Sequence, residues 1–256
     1  MAEVLASLSQ GIGTVMFNRP EKRNTMNTNV MREILRIFDE FDKDPEVKVI
    51  VLTGAGDKAF CAGQDLADFS GNAVEIREYV TEFPAILRKM TEMGKPIIGA
   101  INGYALAGGF GLTAACDIVL AADNAKFGIT EINVGLYGFV IISPIVRTLG
   151  MKHLMELYYT GKHITAEEGK AIGLVNHIYP KEEFRGEVEK FALTIAKKSP
   201  LALRLGRQTF YNAREMEYQQ AIKYCREMFA ILATSDDAKE GIDAFLNKRE
   251  PVWTGR

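Results

Sequence analysis

Two glycine-containing loops are the parts of this sequence best suited to chemistry. The first, residues 59–66, follows a β-branched run, and the second, residues 102–111, lies between an apolar run and a helical pattern. Glycines at a helix start let the backbone approach a ligand, and the unpaired N–H groups there favour an anion. Two such N–H groups that converge from separate loops would form an oxyanion hole. The alternative is that these glycines only permit tight packing of strand against helix.

Other catalytic motifs are absent from the sequence. Neither Gly-x-Ser-x-Gly nor Gly-x-Gly-x-x-Gly occurs, and the run from Gly103 to Gly109 is not followed by Lys-Ser/Thr. These absences argue against a hydrolase elbow, a dinucleotide fold and a phosphate loop. The histidines, at 153, 163 and 177, are never three or four residues apart, so no metal site is expected.

Composition narrows the class of protein further. The chain has 256 residues, 47% of them hydrophobic and 25% charged, with a formal net charge of −2. Such a balance is typical of a folded globule and gives no basic stripe for nucleic acid. No apolar run approaches the ~20 residues of a membrane helix, and the N-terminus does not read as a signal peptide. Three widely spaced cysteines suit a reducing compartment, so a cytoplasmic location is expected.

Strand and helix patterns alternate through the first two-thirds of the chain, which predicts an α/β core with parallel pairing. The predicted strands are residues 4–8, 13–17, 47–52, 97–101, 118–121, 126–128 and 174–179. The predicted helices lie between Asn27 and Asp44 and at residues 74–93, 108–116 and 165–173. A long loop is expected over residues 58–71. From Lys181 onward only helices are predicted, with breaks at 199–200, 212 and 235–236.

The motifs, taken in order, resemble the enoyl-CoA hydratase/isomerase (crotonase) superfamily. The stretches that carry the resemblance are 17–24, 60–65, 102–109, 125–131, 159–161, 171–175 and 245–249. The resemblance implies a crotonase-like spiral of ββα units over residues 1–180, which would hold the acyl-CoA site. Residues 181–256 would then form a helical region for trimerisation or a lid, in a homotrimer or homohexamer.

Catalytic roles follow from the same resemblance. The thioester oxygen would accept hydrogen bonds from the main-chain N–H groups of Gln64 and Gly108, which would stabilise an enolate. Glu131 matches one of the two glutamates of family hydratases, whereas the position of the other falls on Gly111. A single carboxylate can move a proton between two carbons more readily than it can add water, so double-bond isomerisation is favoured. Glu131 could instead be a solvated loop carboxylate.

Several other reactions remain open on the sequence alone. A hydratase that holds its water differently is the main alternative, and a decarboxylase, dehalogenase or ring-cleaving hydrolase would fit the same scaffold. A catalytically silent CoA-binding paralogue is the non-enzymatic alternative, although the presence of Glu131 argues against it.

The resemblance also implies a set of substrate-binding residues, with coenzyme A as part of the substrate and no separate cofactor. The residues are Lys22, Arg23, Ala62, Gly63, Asp65, Leu66, Tyr104, Gly109, Gly111, Tyr137, Lys248 and Arg249. Lys22 and Arg23 would lie near the adenine and pantetheine. Lys248 and Arg249 would reach phosphates, or would simply be helix-end cations. Tyr137 would line the acyl pocket or supply a hydroxyl, or would only pack in the core.

Overall fold

The computed structural model describes residues 2–68 and 72–256. The first two strands, β1 (Val4–Ser9) and β2 (Ile12–Phe17), form the hairpin that the alternating pattern predicts. Its turn needs two residues with positive φ, and Gln10 and Gly11 supply them with φ of 50° and 80°. The remaining strands are β3 (Val49–Gly54), β4 (Ala59–Cys61), β5 (Ile97–Ile101), β6 (Tyr104–Leu106), β7 (Ile118–Ala122), β8 (Lys126–Gly128), β9 (His163–Thr165) and β10 (His177–Tyr179).

The strands form two sheets. The larger has the order β1-β2-β3-β5-β7-β10, in which every pair but β1 with β2 is parallel. The smaller has the order β4-β6-β8-β9. From β3 to β8, strands that follow each other in the chain alternate between the two sheets. In β3 and β4, in β5 and β6, and in β7 and β8, the first strand belongs to the large sheet and the second to the small one. The predicted α/β class with parallel pairing is therefore confirmed.

Helices follow the strand pairs and then form the C-terminal part of the chain. They are α1 (Thr28–Lys43), α2 (Ala73–Tyr79), α3 (Glu82–Glu92), α4 (Gly108–Ala115), α5 (Phe139–Ile145), α6 (Met151–Thr160), α7 (Ala166–Ala171), α8 (Phe184–Ala196), α9 (Pro200–Ala213), α10 (Tyr218–Ala233) and α11 (Asp236–Leu246). The predicted caps are present: the Asn27 side chain accepts from the Val30 N–H, and Thr165 and Glu168 form a capping box.

A predicted helix and a predicted strand differ clearly from the structure in their bounds. The single helix over 74–93 is two helices, because Pro84 in the first turn of α3 has no N–H to continue a helix from Val80. The last strand covers only β10, since the N–H groups of Leu174 and Val175 donate to the Gly169 carbonyl at the end of α7.

The expected loop over 58–71 contains β4 and a 3₁₀ helix, Leu66–Asp68, and its residues 69–71 lie outside the described part of the chain. Strands of three residues, such as β4, β6 and β9, are too short for alternation to reveal them.

Two cores hold these layers together. The larger encloses Phe17, Phe60, Phe110 and Phe127 between the sheets and helices. The second lies on the other face of the large sheet, where Phe184 and other apolar residues of α8 pack against β2, β3, β5 and β7. Helix α8 lies after residue 180, where the sequence analysis placed the end of the core region. It nevertheless packs on the large sheet and forms part of that core. No helix in the described ranges is both long and apolar enough to span a bilayer.

Candidate active site

The two glycine-containing loops interlock. A β-carbon on Gly63, whose φ is +97°, would lie 2.9 Å from the Ala107 β-carbon and 3.2 Å from the Gly108 nitrogen. A β-carbon on Gly109 would lie 2.0 Å from the Cys61 carbonyl oxygen. Only glycine allows so close an approach of two backbones. The two loops are therefore in direct contact at both glycines, which also provides the tight packing of strand against helix that was considered as the alternative.

Main-chain N–H groups are left unpaired where the loops meet, among them those of Gln64 and Gly108. The Met26 N–H donates to the Gly63 carbonyl at 2.8 Å and the Asp65 N–H donates to the Met26 carbonyl at 2.9 Å, which directs the backbone of Gln64 away from this bridge. Gly108 is the first residue of α4, where a helix has no internal partner for its N–H. Within residues 2–68 and 72–256, neither the Gln64 nor the Gly108 N–H donates to another group.

Ala107 holds the start of α4 in an unusual conformation. Its φ of 50° and ψ of −121° lie in a region that residues with a β-carbon rarely adopt. Its own N–H donates to the Gly128 carbonyl at 2.9 Å, so the chain on both sides is fixed. Strain of this kind typically persists where a site requires a defined backbone geometry.

Glu131 begins the 3₁₀ helix Glu131–Val134, three residues after β8. Its side chain is largely enclosed, and its Oε2 atom has no hydrogen-bond partner among the described residues. Burial raises the pKa of Glu131, and the nearby N–H groups of Glu131 and Thr130 offset only part of that effect. A buried carboxylate with an unused oxygen and a raised pKa is suited to accept and return a proton near neutral pH.

The space beside Gly111 is filled by another side chain. A β-carbon on Gly111 would lie 2.2 Å from the Ile141 Cγ2 methyl. A β-carbon on Gly138 would lie 2.8 Å from the Glu131 Oε1 atom and 3.0 Å from the Ile141 Cδ1 methyl. Ile141 thus lies between α4 and the Glu131 carboxylate, and no side chain extends from position 111.

Aromatic rings pack next to Glu131. Tyr137 stacks on Tyr158 with ring centroids 4.8 Å apart and lies 5.1 Å from the Phe139 ring. The Tyr158 hydroxyl donates to the Gly138 carbonyl at 2.9 Å, which holds the loop before α5 in place. Burial first, and then the nearby Glu131 charge, raise the pKa of Tyr158, so this hydroxyl stays protonated. The Tyr137 ring is thus packed against two other aromatic rings.

The first loop is anchored by residues near the N-terminus. The Arg23 carbonyl accepts from the Ala62 N–H at 3.1 Å, and Lys22 lies 3.7 Å from the Asp65 carboxylate. Burial alone would raise the pKa of Asp65, but the Ala67 N–H, Arg19 and Lys22 together hold it below its ordinary value.

Arg19 and Asn24 are two buried polar residues that the site prediction omitted. Arg19 pairs with both Glu3 and Asp65, and the Asn24 amide donates to the Ala59 carbonyl at 2.7 Å. Both belong to the stretch 17–24 that carried the resemblance. Their contacts with Asp65 and Ala59 hold the first loop in place.

Several predicted substrate-binding residues lie apart from the glycine contacts. The Tyr104 ring packs edge-on against His163 on the small sheet, and Leu66 is exposed at the start of its 3₁₀ helix. Arg249 forms ion pairs with Glu240 and Asp243 of α11, each at 2.6 Å, and Lys248 precedes it with a φ of 52°. The Arg249 guanidinium would have to leave these carboxylates to bind a phosphate.

A cavity of about 470 Å³ lies on the opposite face of the large sheet, against α8. Its walls include Ser9, Thr53 and Phe184, and none of the predicted site residues lines it. Among the described residues, no group of three His, Cys, Asp or Glu side chains could hold a metal ion.

Comparison with known proteins identifies the family of this chain. The family model described as Enoyl-CoA hydratase/isomerase matches residues 7–256. This chain belongs to that family. It is 34% identical to the crotonyl-CoA hydratase of Syntrophomonas wolfei, over 96% of each chain. It is 34% identical to the (E)-benzylidenesuccinyl-CoA hydratase of Thauera aromatica, over 98% of this chain and 99% of the relative.

A solved structure gives the same result for the fold. The enoyl-CoA hydratase of Bacillus anthracis superposes with a TM-score of 0.96 at 29% identity, covering 100% of both chains. The crotonase fold expected from the sequence is therefore shown, and the chain is an enzyme of this superfamily.

Proposed function

We propose that this enzyme moves a double bond in an acyl-CoA thioester, converting a 3-enoyl-CoA into the conjugated 2-enoyl-CoA. One observation supports this proposal above the others: Glu131 is the carboxylate at the site, and position 111, on the adjoining helix, carries no side chain at all. The unpaired N–H groups of Gln64 and Gly108 are the donors to the thioester oxygen.

The reaction needs one base and one anion site. Glu131 takes the proton from C2, and the electron pair of that bond forms an enolate with its negative charge on the thioester oxygen. Preorganised donors lower the barrier to this step, each by about 3–4 kcal/mol. Glu131 then returns the proton to C4 while the double bond moves from C3–C4 to C2–C3. The carboxylate is regenerated and no other reactant is consumed.

Hydration of a 2-enoyl-CoA is the second candidate, because the named relatives are hydratases. In this reaction Glu131 would have to activate water for attack on C3 and also supply the proton to C2. The family hydratases resembled by this sequence divide that work between two glutamates, which makes hydration by this site the slower of the two reactions.

Acyl-CoA is the only ligand that this proposal requires, with no separate cofactor. The thiols Cys61, Cys116 and Cys225 are unpaired, which supports a cytoplasmic location. Exposed apolar side chains on the C-terminal helices, including Phe229 and Phe245, support assembly of several copies, as in a homotrimer or homohexamer.

The proposal is tested by offering the enzyme 3-enoyl-CoA and 2-enoyl-CoA separately and following the absorbance of the conjugated thioester. A rise with the 3-enoyl substrate, without loss of absorbance from the 2-enoyl substrate, is expected. Faster loss of the 2-enoyl signal would favour the hydratase, and CoA binding without turnover would favour a silent paralogue. Glu131→Gln should abolish turnover, whereas the exposed Glu46→Gln serves as the matched control.

A further inference from the structure

Ile141 packs so closely against Gly111 that it leaves no room for any side chain at position 111. Besides the Cγ2 methyl at 2.2 Å, the Ile141 β-carbon itself lies 2.8 Å from the point where a β-carbon on residue 111 would stand. Any side chain at 111 therefore collides with the branch point of Ile141 and not only with the end of a flexible chain. Rotation of Ile141 cannot remove this collision, because its β-carbon is fixed by the helix backbone.

The backbone of α5 has little freedom to move Ile141 away. Ile141 is 2% exposed, and Ile145, one turn further along, is fully buried in the same core. The start of the helix is held by the hydrogen bond from the Tyr158 hydroxyl to the Gly138 carbonyl. Close-packed interiors resist a shift of this size.

The other end of the Ile141 side chain and the Glu131 carboxylate both lie beside Gly138. The Cδ1 methyl of Ile141 and the Oε1 atom of Glu131 lie within 3.0 Å and 2.8 Å, respectively, of the same point next to Gly138. A catalytic water on this side of Glu131 would need two or more polar partners. Ile141 and Gly111 supply none from their side chains, and the Tyr158 hydroxyl donates its only proton to the Gly138 carbonyl, which leaves it solely as an acceptor.

We propose that Ile141 is a specificity-determining residue: it occupies the volume that a second carboxylate and its water would need, and so commits the site to proton transfer over hydration. This inference rests on the proposed isomerisation. It also makes a steric claim that does not depend on the reaction, so the two can fail separately.

The steric claim is tested by a double-mutant cycle read as melting temperature. Gly111→Ala should lower the melting temperature by several degrees in the wild-type background. It should lower it much less when combined with Ile141→Gly, the substitution that removes the colliding β-carbon. Ile145→Gly is the matched control, because it deletes an equally buried isoleucine of the same helix that is not among the atoms nearest to position 111. An equal loss in all three backgrounds would overturn the steric claim.

The chemical claim is tested by the ratio of hydration to isomerisation. Ile141→Val removes only the terminal methyl facing Glu131 and keeps the fold, so it should raise this ratio several-fold, while Ile145→Val should leave it unchanged. Gly111→Glu with Ile141→Gly should add further hydration, and Gly111→Glu alone should add none. An unchanged ratio in Ile141→Val would overturn the proposal even if the wild-type enzyme isomerises its substrate. A wild-type enzyme that only hydrates would instead overturn the proposed function, and the melting-temperature cycle would still report on the steric claim.

Discussion

The α-carbon of Gly109 lies directly against the carbonyl of Cys61, so closely that a β-carbon at 109 would stand 2.0 Å from that oxygen. This contact joins the end of β4 to the first turn of α4. Gln64 follows Cys61 by three residues and Gly108 directly precedes Gly109, and the N–H groups of both donate to no other described group. The distance between these two donors is therefore set by a contact between main-chain atoms of the two loops.

Gly109→Ala should therefore displace one loop from the other and lower kcat/KM by more than ten-fold. The Cys61 carbonyl is main chain and cannot rotate aside, so the protein should also lose thermal stability. Gly206→Ala is the control, because position 206 lies within α9 and a β-carbon added there would meet no atom within 4 Å apart from its own helix backbone and chain neighbours. That change should raise stability by about 1 kcal/mol and leave kcat/KM unchanged. Steady-state kinetics and thermal melting of both variants check this prediction.

A proline at position 64 should separate the role of the Gln64 N–H from that of its side chain. Gln64→Pro removes a donor that no other described group uses, and should lower kcat by 10²–10³ with little change in KM. Gln64→Ala keeps the N–H and should keep most of the activity. If both variants lost activity equally, the side chain and not the main chain would be the functional group. Kinetics on both variants, with circular dichroism to confirm folding, distinguish these outcomes.

The pH dependence of the reaction should report the environment of Glu131. The base works only as the carboxylate, so kcat/KM should fall as the pH falls through the pKa of Glu131. Because burial raises this pKa, the acidic limb should lie above the ordinary value of 4.5. A limb at or below 4.5 would show that Glu131 is not the base, or is not buried in the free enzyme. A pH profile of kcat/KM with a 3-enoyl-CoA provides the measurement.

Glu131→Gln should make the folded protein more stable at neutral pH while it removes activity. The native pKa of Glu131 lies above that of the unfolded chain, so the native state holds the proton more tightly. Stability is then lost as the pH rises from the unfolded pKa through the native one, and the full cost is present above the native pKa. The variant lacks this cost and should melt a few degrees higher at pH 7. The difference should vanish below pH 4.5, and a gain that persisted there would have another cause.

The C-terminal helices should hold several copies of the chain together. Phe245 is 82% exposed and Phe229 is 73% exposed, which a lone chain would leave in water. Sedimentation should give the mass of a trimer or hexamer, and Phe245→Glu should reduce it. Leu8→Glu on β1, also an exposed apolar position, should leave the mass unchanged. A monomer in the unaltered protein would refute this prediction.

Local patterns were sufficient for much of the fold. The hairpin turn at Gln10-Gly11, the cap at Asn27 and the capping box at Thr165 each depend on residues a few positions apart, and all three are present. The prediction of a single helix over 74–93 was wrong for a reason that is visible in the sequence, namely the proline at position 84. Of the short strands of the small sheet, β8 was predicted with its exact bounds, whereas β4, β6 and β9 were missed, because their pairing is with residues far away in the chain.

The sequence by itself determined the family, the two glycine loops and the missing side chain at 111, because these are properties of residue type and order. Only the tertiary structure decided what fills the resulting space. Ile141 lies thirty positions from Gly111, and no periodicity links the two. Their contact arises from the packing of α5 on α4, just as the raised pKa of Glu131 arises from burial by elements that converge only in three dimensions.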